Sequence, residues 1–294
     1  MLNLNPSIMS RLDVNKTYKI YIGGKFPRTE SGRYFAINNT KGDFLANMCL
    51  SSRKDVRNAV VAARKAQSSW ANATALNRGQ ILYRIAEMLE GRREQFILEL
   101  QQMGANKKEA EKEVDFAVDR LVYYAGWSDK YQQIFSAVNP VVSAHFNFSV
   151  LEPMGVISIV APEKQGLLGL VSVVAPAIVG GNTVVVLASE SKPLSAISFA
   201  EVLHSSDVPG GVVNILTGKR SELISHMASH MDVNGIIYCG KDEEVIETVN
   251  ALSSENLKRT YFYKKNDWTG KTSQSPYFIE KTQEVKTTWH PTAI

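Results

Sequence analysis

From Val156 onward, short apolar runs alternate with longer segments of helical period. Val156–Ala161, Thr183–Leu187, Val212–Leu216 and Gly235–Tyr238 are nearly all apolar, so each reads as a strand covered on both faces. Between and after them, Leu167–Val179, Leu194–Ser205, Glu222–Ser229 and Glu243–Leu252 read as helices. Such alternation predicts a parallel sheet with helices on both sides. Thr260–Tyr263 adds a further strand. The first half has a different beat. Arg53 to Trp70 places Val56, Val60, Val61, Ala63 and Ala66 on one helical face, and Ala75 to Gly104 reads as one long helix with Ile81, Ile85, Met88 and Leu89 in a stripe. Lys107 to Tyr131 is another helix, and its run Tyr123-Tyr-Ala-Gly-Trp127 reads as core. Tyr18–Ile22, Gly23-Gly24 and Lys25-Phe26 read as strand, turn and strand, while Ser143–Leu151 alternates as a long extended strand.

Composition narrows the class. The chain has 294 residues, 44% hydrophobic and 21% charged, as in an ordinary globular protein with room for a large core. Its net charge of +4 comes from interleaved lysines, arginines and acids, without the dense basic stripe of a nucleic-acid binder. Only Cys49 and Cys239 are present, far apart, which suits a reducing compartment and no disulfide scaffold. No uncharged apolar run is long enough to span a membrane, and the first residues lack the apolar core of a secretory signal, so a cytoplasmic location is expected.

Glu152-Pro-Met-Gly-Val-Ile-Ser-Ile-Val-Ala-Pro162, Gly181-Asn-Thr-Val-Val-Val-Leu-Ala-Ser-Glu190, Pro209-Gly-Gly-Val-Val-Asn214 and Tyr238-Cys-Gly240 occur in that order. The series resembles the nicotinamide-binding domain of the aldehyde dehydrogenase superfamily. So do the earlier Asn38-Asn-Thr-Lys-Gly42, Arg78-Gly-Gln-Ile-Leu-Tyr-Arg-Ile-Ala86 and the Tyr-Tyr-Ala-Gly-Trp run. The resemblance covers about residues 17–252 in register, and Lys281-Thr-Gln-Glu-Val-Lys-Thr-Thr-Trp289 is similar to the family's C-terminal strand. It implies a Rossmann-like α/β fold, a parallel sheet with helices on both faces, with N-terminal helices and a protruding β flap used for oligomerisation. The expected divisions are a tail or linker at 1–16, an N-terminal helical part at 17–136, an oligomerisation arm at 137–152, a Rossmann-like core at 153–263, a surface loop at 264–276, and a C-terminal oligomerisation strand at 277–294.

Against the family pattern, the chemistry is altered. The turn after the first sheet strand, where the family carries an oxyanion-binding Asn, reads Pro162-Glu-Lys-Gln-Gly166, with Lys164 at the Asn position. This reads as a solvated charged turn. After the second strand the family has a Lys and a Glu that hold the ribose hydroxyls; here Ser189 and Glu190 are retained, but Leu187 replaces the Lys. After the fourth strand, Gly240 keeps a close turn, while Asp242-Glu-Glu244 opens the next helix. Those acids favour the helix start and repel a diphosphate, so the site is expected to cap itself. Cys239 and Cys49 read as small buried residues; Cys239 is not expected to be a nucleophile, and no general-base Glu follows Leu257. His226 and His230 lie four apart but lack a third ligand among the scattered His145, His204 and His290, so no metal is expected.

Only 54 residues follow Gly240, whereas the family normally continues there with the domain that holds its nucleophile. The chain is therefore expected to lack that domain and to resemble the degenerate second module of family 16 aldehyde dehydrogenases. No catalytic residue and no resident cofactor are expected. NAD is the one cofactor candidate, through Glu190, Ser189, Gly218 and Gly240. The reading is a scaffold that forms a homo-oligomer, or a hetero-oligomer with a complete relative, through residues 143–151 and 281–289. The alternatives are NAD-dependent aldehyde oxidation, alone or in a complex, and NAD binding without chemistry.

Overall fold

Tight backbone approaches, not paired strands, organise the N-terminal end of the fold. The computed structural model describes residues 16–264 and 267–292, so the expected tail lies outside the described residues except for Lys16. Lys16 is docked, donating to Ser198 Oγ at 2.8 Å and pairing with Glu201 at 3.0 Å. Tyr21 exchanges backbone hydrogen bonds with Ile215 at 2.9 and 2.8 Å, and Ile22 turns back on Lys25 around Gly23-Gly24. Gly24 (φ +77°) lies so near Gly210 that a Cβ on it would come within 2.9 Å of the Gly210 Cα.

A hairpin follows, β1 (Tyr34–Asn38) with β2 (Phe44–Cys49), and then α1 (Arg53–Ala71), opened by a capping box between Ser52 and Asp55. Val56, Val60 and Ala63 of α1 are buried as predicted, but Val61 faces solvent. The predicted long helix is two: α2 (Ala75–Glu90) and α3 (Arg93–Gln102). Gly91 and Arg92 close the last turn of α2 onto Glu87 and Leu89, and Arg92 leaves helical geometry (φ −110°, ψ 14°). The break re-aims Phe96, Ile97 and Leu100 into the core. Next come α4 (Lys107–Trp127), capped by Asn106 and Glu109, and the short α5 (Tyr131–Phe135).

Two sheets remain. The antiparallel arm contains β3 (Ala137–Asn139), β4 (His145–Pro153) and β10 (Gln283–Pro291), in the order β10-β4-β3. The main sheet uses β5 (Val156–Val160), α6 (Gly166–Val179), β6 (Thr183–Leu187), α7 (Leu194–His204), β7 (Val213–Leu216), α8 (Arg220–Ser229), β8 (Gly235–Tyr238), α9 (Glu243–Ser254) and β9 (Arg259–Phe262). Its strands run parallel in the order β7-β6-β5-β8-β9. Every residue of β5, β6, β7 and β8 is buried, which is what near-continuous apolar runs require. The order reverses direction at β5, between β6 and β8.

Two expectations for the connection from β9 to β10 need correction. The predicted surface loop is anchored: Trp268 is wholly buried against Tyr263 and Phe278, and its carbonyl accepts from Arg120 of α4 at 3.0 Å. The same guanidinium donates to Ser172 Oγ at 2.6 Å and to the Ser273 carbonyl. The extended segment does not begin at Tyr277, because α10 (Tyr277–Glu280) forms one helical turn before β10. β10 leaves one apolar face open. Val285 and Trp289 of its apolar face are 66% and 56% exposed.

Candidate functional site

Ligands of an open parallel sheet bind beyond the carboxyl ends of its strands, where the strand order reverses. At that edge the turns after β5, β6, β7 and β8 converge, and in this chain they are tied together by carboxylates. Glu163, after β5, accepts hydrogen bonds from the Glu190 backbone N–H at 3.1 Å, the Ser191 N–H at 3.0 Å, Ser189 Oγ at 3.0 Å and Ser191 Oγ at 2.7 Å. Arg220, the first residue of α8, pairs with it at 2.5 Å and also donates to the Ala161 carbonyl. Burial alone would raise the Glu163 pKa, but the Arg220 charge and these donors outweigh it, and the carboxyl is held below its ordinary value. The turn is thus an anchored one. Within it only Lys164 is exposed, while Gln165 (φ 55°) reaches the Trp268 N–H at 2.7 Å.

Glu190 is also occupied. Its carboxylate accepts from Lys219 Nζ at 2.7 Å and from the Arg220 N–H at 3.0 Å, so it caps α8. Asp242 caps α9, accepting from the N–H groups of Glu244 at 3.1 Å and Val245 at 3.3 Å. Glu113, reaching from α4, accepts from Leu167 N–H at 2.9 Å and Leu168 N–H at 3.3 Å at the start of α6. Its burial raises its pKa, against those two hydrogen bonds. Three helix starts and one turn at this edge therefore point their donors at the chain's own carboxylates. A bound diphosphate needs such donors free, and here the chain's own carboxylates occupy them.

The structure brings Ser189, Glu190, Gly218, Gly240, Lys164 and Cys239 to this one edge. A cleft of about 530 Å³ between α8 and α9 is walled by Ile224, Tyr238 and Val245, with Glu190, Arg220 and Asp242 at its rim. Lys164, Cys239, Gly240 and Trp268 line a smaller one of about 280 Å³. Gly240 is required by contact: a Cβ there would come within 2.4 Å of the Tyr238 ring. Gly218 (φ +156°) packs against the Ser51 N–H, away from either cleft. The Cys239 thiol is buried and raised far above its ordinary pKa by burial, with no base bonded to it. Cys49 is buried too and donates to the Tyr18 carbonyl. Among the described residues, no group of three His, Cys, Asp or Glu could hold a metal, and no helix is long and apolar enough to cross a membrane. Sequence reasoning missed Arg220 and the role of Glu163. A basic pair, Lys219-Arg220, at a helix start opposes the macrodipole and was the available signal.

Residues 26–262 match the model of the aldehyde dehydrogenase family. Cytosolic 10-formyltetrahydrofolate dehydrogenase of Mus musculus is 31% identical over 265 residues, covering 88% of this chain and 29% of that protein. Retinal dehydrogenase 2 of Gallus gallus is 32% identical over 265 residues, again 88% of this chain, and 50% of the relative. Among solved structures, the NAD+ complex of aldehyde dehydrogenase from Bacillus cereus superposes with a TM-score of 0.80 at 27% identity, over 84% of this chain and 50% of that one. The chain thus spans half or less of the length of these relatives.

Proposed function

The chain belongs to the aldehyde dehydrogenase family, and from that premise we propose that it is a non-catalytic association module whose partner is a second copy of itself. The observation that carries the proposal is the arm. All nine residues of β10 pair with β4, leaving its other edge without a strand among the described residues. An antiparallel pairing of two β10 edges about a two-fold axis at Thr287 sets Val285 of each copy opposite Trp289 of the other. That juxtaposes a β-branched and an aromatic residue on one face, a favourable cross-strand pair. A complete relative presenting a similar edge is the other occupant the test can reveal.

The absence of chemistry in this proposal rests on three features. Cys239 is buried without a base, and the carboxylates of Glu163, Glu190 and Asp242 hold the donors a dinucleotide diphosphate would use. Between Phe262 and Gln283 the chain has only 20 residues, which route β9 directly to the arm with no second domain between them. On this reading no cofactor is resident, and the two reduced, buried thiols suit the cytoplasm. A second reading, NAD binding without chemistry, is favoured by the open cleft between α8 and α9 and by the NAD+ complex of the Bacillus cereus relative.

The test is solution mass by light scattering, for the wild type and Val285→Lys, with NAD titrated into each by calorimetry. A wild-type dimer that the substitution converts to a monomer, with no NAD heat, is the expected result. A wild-type monomer at tens of micromolar overturns the module. NAD heat transfers support to the second reading, and aldehyde oxidation by the purified chain overturns both.

A further inference from the structure

A second concentration of charge lies away from the strand ends, where the start of α1 packs beside the end of α8. Arg53 and Arg57 stand four apart on α1, while His226 lies in the last turn of α8 and His230 just past its end, in extended geometry. The four line one cleft of about 310 Å³ with the Ser229 hydroxyl, and no acidic side chain lines it. The two arginines, four apart on one helix, repel each other, and an anion between them would relieve that repulsion.

Structural explanations account for only part of the cluster. A histidine in the last turn of a helix suits its negative end, which accounts for the position of His226. The arginines have no such account, because they sit at the positive end of α1. Neither has a carboxylate within ion-pairing distance among the described residues, whereas the adjacent Lys54 is paired with Glu30. The first turn's own acid, Asp55, is buried and turned inward, accepting from Thr29 Oγ1 at 2.5 Å and the Ser52 N–H at 2.8 Å. Lys258, near enough to act on His230, is 8% exposed, and its Nζ has no hydrogen-bond partner among the described residues. Burial pushes it down to about 8. Asp232 is the one carboxylate acting on His230, and it also faces Arg64 at 3.6 Å.

We propose that this cleft binds the phosphoryl group of a small phosphorylated metabolite. Two guanidinium forks and a hydroxyl match the several acceptor oxygens of a phosphate monoester. His230 Nδ1 accepts the Asp232 N–H at 3.2 Å, so in the neutral ring Nε2 carries the proton and is free to donate. The volume is at the small end of ligand sites, which suits a short-chain ester.

His230 supplies the readout. Burial lowers its pKa first, Lys258, Arg53 and Arg57 lower it further, and Asp232 opposes them. A bound dianion acts in the opposite direction and raises it. The experiment follows the ring C–H resonances of His226 and His230 by NMR while inorganic phosphate or glycerol phosphate is added at constant ionic strength. Saturable shifts, a raised His230 pKa and tighter binding of the ester are expected. The Arg53→Gln, Arg57→Gln double variant, altered only at exposed positions, should bind roughly tenfold or more weakly. Shifts no larger than those from matched chloride, an unweakened double variant, or binding of inorganic phosphate but not of the ester each overturn the proposal.

Discussion

Glu163→Gln separates charge from shape at the turn that ties the sheet edge together. The wild-type carboxylate accepts four hydrogen bonds and faces Arg220 at 2.5 Å. Glutamine keeps one acceptor oxygen, and its NH2 cannot accept from the backbone N–H it then faces, although the serine hydroxyls can turn and accept, so about one or two bonds go unmade. Arg220, whose side chain is 17% exposed, loses its counter-charge. Bonds to a charged acceptor contribute about 1.5 kcal/mol or more, taken here as about 1 kcal/mol each because the carboxylate is partly exposed. The ion-pair part is discounted to about 1 kcal/mol, since Glu163 itself is 35% exposed and partly screened. The variant should therefore be about 2–3 kcal/mol less stable at neutral pH. Urea unfolding followed by circular dichroism would show it as a midpoint lowered by roughly 1 M. The pH dependence gives an independent check. The folded pKa of Glu163 lies below its ordinary 4.5, so its contribution is complete above that value and is lost as pH falls through the lower, folded one. Glutamine does not titrate, so the gap between wild type and variant should close on acidification below about pH 4. An unchanged gap at low pH, or a variant as stable as the wild type at pH 7, would refute the account of Glu163 as an internal anion.

Trp268→Ala should cost about 3–5 kcal/mol by urea unfolding although the residue sits in a connecting loop, because the ring is wholly buried against Tyr263 and Phe278. A loss below 1 kcal/mol would show that the loop is not anchored as described. Neither Cys49 nor Cys239 should react with a chromogenic thiol reagent in the native protein, and both should react once it is unfolded; rapid native labelling of Cys239 would contradict its burial.

The central strands were legible because β-branched runs such as Thr183–Leu187 leave no competing helical reading, and their bounds were nearly right. Helix breaks were harder to read. The apolar period continues through Gly91 and Arg92, and only tertiary packing of Phe96 and Leu100 makes the chain turn there. Polar composition hid Trp268 for a similar reason, since the groups that bury it come from α4 and α10. At the candidate site, the turns that hold the single residues could be read along the sheet edge, but the partners of those residues were not foreseen. Glu163 and Arg220 are 57 positions apart, and each alone looks like a solvated charge. Sequence spacing records which turn a residue occupies, whereas pairing across turns depends on the strand order.

The arm joins segments made at very different moments of synthesis. Pro153 of β4 and its partner Gln283 of β10 are separated by 130 residues. At a translation rate of 5–20 residues per second, β4 waits roughly 7 to 26 s for that strand. During the interval the side of β4 later occupied by β10 presents bare backbone N–H and C=O groups, next to Phe146 and Val150. A nascent chain stalled between β9 and β10 would carry that adhesive edge at full length, which makes the β9–β10 connector the stretch where slow codons or truncation should most promote co-aggregation on the ribosome.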